Sequence, residues 1–184
     1  MDGPTRTVVF VEGVSDQRAV QALARRRGRD LVAERIGVVP IGGAQAISVY
    51  LDRFGTHGSG ARLAGLCDAG EERHFRQGLE RVGLGSKLTR TDMESLGFFV
   101  CVEDLEDEFV RALGSARVEA IIAAQGETGS FRTFQKQPDK RALTLDRQLH
   151  GFMWNRKIRY APLLVAALEL NRVPRPLDGL LEYV

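Results

Sequence analysis

Three apolar runs in this chain each end in carboxylates. Val8-Val9-Phe10-Val11 leads into Glu12, with Asp16 four residues on. Leu63-Ala64-Gly65-Leu66-Cys67 leads into Asp68, and Phe98-Phe99-Val100-Cys101-Val102 runs straight into Glu103-Asp104-Leu105-Glu106-Asp107-Glu108. Several carboxylates in one place can hold a hard divalent cation such as Mg²⁺, which takes one or two of them together with waters and a substrate phosphate. Two such ions about 4 Å apart can stabilise both the attacking and the leaving oxygen of a phosphodiester. A single acid after a strand is ordinarily a cap or turn residue. Its recurrence after three strand-like runs points to a site, and unpaired carboxylates so close would repel, which itself argues for a cation.

The elements that must position these acids are legible. Short apolar runs bounded by Gly read as buried strands, here about 7–12, 36–41, 63–67 and 98–102. Ala19, Val20, Leu23 and Ala24 give the segment after Glu12 a helical apolar face over about 15–27, with Ser15 as cap and Gly28 as stop. Glu12 and Asp16 then face one pocket where a strand surfaces into a βα turn, the place where open α/β sheets bind ligands. Gly42-Gly43 reads as a tight turn into a helix over about 44–54, and 55–60 as a loop. A helix over about 71–82 follows the third strand. Thr91 and Glu94 form a capping-box pattern. From Leu105 onward the pattern is helical to the end, broken at Pro138, Gly151, Pro174 and Pro176, with Pro162 placed near a helix's first turn. Strands alternating with helices predict an α/β fold: a mostly parallel sheet of about four strands between helices.

At 184 residues with a net charge of +2, the chain fits one domain with a helical appendage and carries no strong global field. Distribution says more: from Phe131 to the end there are ten Lys or Arg against five Asp or Glu. A basic part beside an acidic cluster suits a phosphate held near metal ions. Cys67 and Cys101 lack metal-ligand spacing and read as small buried core residues in a reducing compartment. Met1-Asp2-Gly3-Pro4-Thr5 is unlike a secretory leader, and no apolar run approaches the ~20 residues of a membrane span, so a cytoplasmic location is expected. His57, His74 and His150 show no ligand spacing. Trp154 can stack on a base, although packing is the commoner use. The Arg25-Arg26-Arg27-Gly28-Arg29 run complements the helix dipole. Walker A, HExxH and GxSxG sequences are absent.

Glu12-Gly13-x-Ser15-Asp16, then Asp68, then Asp104-Leu105-Glu106-Asp107 resemble a TOPRIM domain, in particular the nuclease part of OLD-family (overcoming lysogenization defect) proteins without their ATPase half. The resemblance spans about residues 7–114. It implies a TOPRIM, Rossmann-like core over 1–114 and a helical extension over 115–184 packed on it. It implies a Mg²⁺- or Mn²⁺-dependent DNA endonuclease with a two-metal site. Glu12, Asp16 and Asp68 would serve one ion, and Asp104 and Glu106 the other or its surroundings. Lys157, in Lys157-Ile158-Arg159-Tyr160-Ala161, matches the family's late Lys-x-x-x-Ala stretch, where a lysine assists cleavage. The chain departs from the family's Asp-x-Asp at the third strand: here it is Asp68-Ala69-Gly70, leaving Glu71 or Glu72 as substitutes. The alternatives are a catalytically weakened nucleic-acid-binding or regulatory module, and an RNA-processing TOPRIM nuclease. DNA or RNA, and an ATPase encoded separately, are the partners this implies.

Overall fold

The computed structural model describes residues 6–55 and 58–184; Met1–Thr5, expected to be unlike a leader, and Thr56 and His57 of the expected loop lie outside the described residues. The core elements are β1 (Thr7–Val11), α1 (Val14–Arg26), β2 (Ile36–Pro40), α2 (Ile47–Phe54) behind a 3₁₀ turn at Ala44–Ala46, β3 (Arg62–Cys67), α3 (Glu72–Arg81), α4 (Arg90–Ser95) and β4 (Phe98–Val100). Helices follow to the end: α5 (Leu105–Leu113), α6 (Ser115–Ala124), α7 (Thr128–Gln135), α8 (Leu145–Met153), a 3₁₀ turn at Trp154–Arg156, α9 (Lys157–Ala167) and α10 (Arg175–Tyr183).

All strand pairings are parallel and the sheet order is β2-β1-β3-β4. Both faces are covered, which is why the strands are apolar throughout rather than alternating with polar residues. Val9, Val11, Ala64, Leu66 and Phe99 face one core, shared with Leu23 of α1, Phe109 of α5, Leu164 of α9 and Leu180 of α10. Val8, Phe10, Cys67, Phe98 and Val100 face the other, built with Ile47 and Leu51 of α2, Phe75 of α3 and Met93 of α4. The C-terminal helices therefore supply much of one layer of the sandwich. Cys67 and Cys101 are buried free thiols, as expected. Among the described residues, no helix is long and apolar enough to cross a membrane.

Four local expectations are corrected. Gly151 lies inside α8 and does not break it. Gly13, not Ser15, is the N-cap of α1, and the Asp16 carboxylate accepts the Gly13 N–H at 2.8 Å. The capping box of α4 is Thr89 with Asp92, because Asp92 accepts the Thr89 N–H at 2.8 Å while Glu94 is drawn to Arg175 at 2.5 Å. Pro162 stands in the middle of α9 rather than in its first turn. Lacking an N–H, it leaves the Ile158 carbonyl without its usual partner, and Arg18 of α1 donates to that carbonyl at 3.4 Å. The arginine run at the end of α1 is a clasp between helices. Arg26 donates to the carbonyls of Val165 and Leu168 at 2.6 and 2.8 Å, and Arg27 pairs with Asp178 of α10.

Gly65 shows how tightly the second core is packed. A Cβ there would stand 2.7 Å from Cδ1 of Phe98, itself fully buried against Phe75. Gly65→Ala should therefore cost about 1–3 kcal/mol by overpacking. Urea unfolding would read this as a lower midpoint at unchanged slope; an unshifted midpoint would show that the strand has room there.

Candidate metal centre

Because every strand runs the same way, every strand's C-terminal end lies at one sheet edge. Glu12 follows β1, Asp68 follows β3, and Asp104 caps α5 just beyond β4. The chain leaves β1 for β2 through α1 on one face, and leaves β3 for β4 through α3 on the other. The gap between β1 and β3 is thus the topological switch point, where such sheets form a crevice. Gly42 and Gly43 close the neighbouring turn with positive φ, and the Gly42 N–H donates to the Glu12 carbonyl at 3.2 Å.

The carboxylates differ in how far they are already satisfied. Oε1 of Glu12 accepts the Asp68 N–H at 2.7 Å, which ties the ends of β1 and β3 together. Asp16 is committed to the cap of α1 through Oδ2, while Oδ1 accepts only a long bond from the Ser15 hydroxyl at 3.4 Å. Asp104 is fully engaged: Oδ1 accepts the Asp107 N–H at 2.8 Å and Oδ2 meets Nε2 of His150 at 2.7 Å. The Asp68 and Glu106 carboxylates accept no hydrogen bond from another residue among those described, and Glu106 is only 3% exposed.

The charges answer accordingly. Burial first, then the charges of Glu12 and Asp16, push Asp68 up to about 8. Burial, with Asp16 and Asp104 adding to it and Lys157 opposing, pushes Glu106 up to about 7. Burial also raises Glu12 and Asp16, against the backbone hydrogen bonds each accepts and the charge of Lys157. Asp104 alone of the five lies below its ordinary value. Burial raises it, but hydrogen bonds from His150 and the Asp107 N–H more than offset that. The Asp104 bond in turn raises His150.

Lys157, at the start of α9, is the cation whose field reaches Glu12, Asp16, Asp104 and Glu106. Its Nζ rests 4.8 Å from the ring centroid of Trp154, an attraction worth about 0.5–1 kcal/mol at an exposed site. The other acids of the 103–108 run have structural partners. Glu103 forms a two-pronged pair with Arg147, one contact at 2.6 Å, and Glu108 accepts the Val102 N–H at 2.8 Å and pairs with Arg111 at 2.8 Å. Glu72 is held by Arg90 at 2.7 Å, whereas the charge of Glu71 is felt by Glu12. Gly70 opens to free space, with nothing within 4 Å of a Cβ built there.

His150 was missed in the sequence. It lies 46 residues from Asp104, and only the docking of α8 against the β4–α5 turn brings the two together. The faint signal is Arg147 and His150 three apart on one helix, which places them on one face opposite Glu103 and Asp104. Among the described residues, no three His, Cys, Asp or Glu side chains already stand in an arrangement that holds a metal ion. The donor set nevertheless suits a hard cation: carboxylate oxygens, with the unpartnered Asp68 and Glu106 carboxyls raised by burial first and by neighbouring acids after it.

Residues 5–68 match the family model of the overcoming lysogenization defect protein-like TOPRIM domain. No curated protein matches the chain. Its fold is that of the C-terminal region of OLD proteins. The Burkholderia pseudomallei OLD protein region aligns over 97% of this chain and 96% of its own at 20% identity, with a TM-score of 0.75. The Xanthomonas campestris pv. campestris OLD protein region aligns over 98% and 92% at 23% identity, also with a TM-score of 0.75. The expected α/β fold, a parallel sheet of four strands between helices, is therefore borne out.

The raised acids set a direction for stability. An acid whose folded pKa exceeds its unfolded one holds its proton more tightly when folded, so its contribution is complete below the unfolded carboxylate range and lost as pH rises through the folded value. For Asp68 and Glu106 that window runs from about 4 to about 8. Raised His150 acts in the same sense, and lowered Asp104 acts only in stronger acid. Metal-free protein should melt at a lower temperature near pH 8.5 than near pH 5.5, and Asp68→Asn should flatten that slope. A melting temperature that climbs across the window would contradict the raised carboxyls.

Proposed function

We propose that this OLD-like TOPRIM chain hydrolyses phosphodiester bonds of DNA as an endonuclease dependent on Mg²⁺ or Mn²⁺. The observation that carries the reading is the Asp68 carboxyl, raised to about 8 among Glu12, Asp16, Asp104 and Glu106 at the switch point of the sheet. Glu12, Asp16 and Asp68 would hold one ion, and Asp104 and Glu106 would hold or surround a second. Bound there, the ions would supply Lewis-acid stabilisation of phosphate oxygens and a hydroxide-like nucleophile near neutral pH.

The chain's own groups do the positioning. The Asp68 N–H fixes Glu12 through Oε1 and leaves Oε2 for a ligand. His150 and the first turn of α5 fix Asp104 from both of its oxygens. Hydrogen-bonded partners of this kind orient a ligating carboxylate and typically matter by 10–100-fold in metal affinity. Lys157 would neutralise charge developing on the phosphate, since among the described residues its ammonium forms no ion pair and rests on Trp154 by a weak contact. Of the two acids available in place of the missing second Asp, Glu71 is the better placed, because Glu72 is committed to Arg90 and Arg76. An ATPase acting with the domain belongs to the same proposal.

Gly70 favours a second reading, a binding module with weakened catalysis. Plasmid nicking with Mg²⁺, Mn²⁺ or EDTA separates the two. The nuclease reading expects nicking with metal and a loss of at least ~10²-fold in Asp68→Ala, as when a clamp worth several kcal/mol is removed. Gly70→Asp fits without a clash and should change little. Inert wild type, restored by Gly70→Asp, would identify a lesioned nuclease. Inert wild type without rescue would sink the hydrolytic reading and leave the binding module.

A further inference from the structure

Beside the carboxylates, between the start of α1 and the start of α9, lies a cleft of about 580 Å³ that includes Gly13 and Ser15 in its wall. Arg18, Arg156, Lys157 and Arg159 line it together with Trp154 and Ile158, and none of its lining residues is acidic. Trp154 is 52% exposed and Ile158 46%, so neither serves the core. This overturns the packing role expected of the tryptophan. Arg156 and Arg159 both lean on the one carboxylate of Glu127, so the wall keeps a surplus of positive charge. Arg18 is held across the cleft mouth by the Ile158 carbonyl that Pro162 leaves free.

We infer that this cleft takes an unpaired polynucleotide strand, with a base stacked on Trp154 and the adjoining phosphates against Arg18 and Lys157. The inference rests on the nucleic-acid reading above and names the state of the strand that reaches the carboxylates. Four cations against the one carboxylate of Glu127 select a polyanion. A solvent-exposed indole in a basic groove is the element that separates a single strand from a duplex: stacked duplex bases offer no face to it, while an unpaired base does, whatever its identity. The size agrees. A pocket of this volume takes a drug-sized group, one or two nucleotides. The Lys157 ammonium, resting on the indole, is a neighbour that a phosphate would draw off the ring as a base moves in. The strand would then pass from Trp154 over the N-terminus of α1 toward Glu12 and Asp68.

Trp154 is the only tryptophan in the chain, so intrinsic emission reports on this cleft alone. Full-length protein in EDTA and low salt would be titrated with oligodeoxythymidylate, oligouridylate and a blunt DNA duplex. Saturable quenching by either single strand but not by the duplex is the expected result, and the stronger of the two tells which sugar is preferred. By anisotropy of a labelled single strand, Trp154→Ala should weaken binding about tenfold and Trp154→Phe should keep most of it. Single-strand binding without quenching, equal quenching by duplex, or unchanged affinity in Trp154→Ala would each overturn the proposal. Cleavage of the same labelled single strand with Mg²⁺ or Mn²⁺ decides the hydrolytic reading separately. Cleavage without quenching overturns the strand path and leaves hydrolysis standing, whereas quenching without cleavage supports the path and removes hydrolysis.

Discussion

Repulsion among carboxylates at one end of a parallel sheet is the constraint on which this molecule turns. A sheet whose strands all run one way delivers the residue after each strand to a single edge, and this chain puts an acid there after β1, after β3 and just beyond β4. Burying like charges together costs free energy unless protons or cations intervene. The fold spreads that cost unevenly. Asp104 is satisfied by His150 and the start of α5, and Glu12 by the Asp68 N–H, while Asp68 and Glu106 are left to carry raised pKa values. The strain is concentrated on the two groups with the most free lone pairs, which is the arrangement of a site that expects a positive partner.

The C-terminal helices belong to this account. α9 brings Lys157 to the acids from across the sheet edge, and α8 brings His150 and Arg147 to the β4–α5 turn. Their shared core with β1, α1 and α10 fixes these side chains. The clasp of Arg26 and Arg27 onto α9 and α10 does so from the far end of α1. Pro162 weakens α9 just where Arg18 can repair it, so one proline couples the helix carrying Lys157 to the helix carrying Asp16.

Much of this was legible in the sequence, for identifiable reasons. The strands and their parallel order follow from continuous apolar runs separated by helical segments, and the strand-end acids follow from the runs themselves. Cap details were less legible. Two overlapping patterns, Thr89 with Asp92 and Thr91 with Glu94, satisfy the same rule, and only the distant Arg175 decides between them. Ser15 looked like a cap because side-chain oxygens cap helices well, yet Asp16 reaches back to close the turn at Gly13. His150 and the exposure of Trp154 depend on how α8 and α9 dock, which no local spacing encodes.

Calorimetric titration of Mn²⁺ into wild type and Glu12→Gln tests the central claim most directly. The glutamine keeps a carbonyl oxygen for the Asp68 N–H and so keeps the tie between β1 and β3, while removing one charge from the cluster. The account predicts saturable binding to wild type and at least about tenfold weaker binding to the variant, with metal-free melting temperature held or raised. Equal affinity in the two proteins, or no binding to either, would mean that the edge holds buried acids and no metal centre.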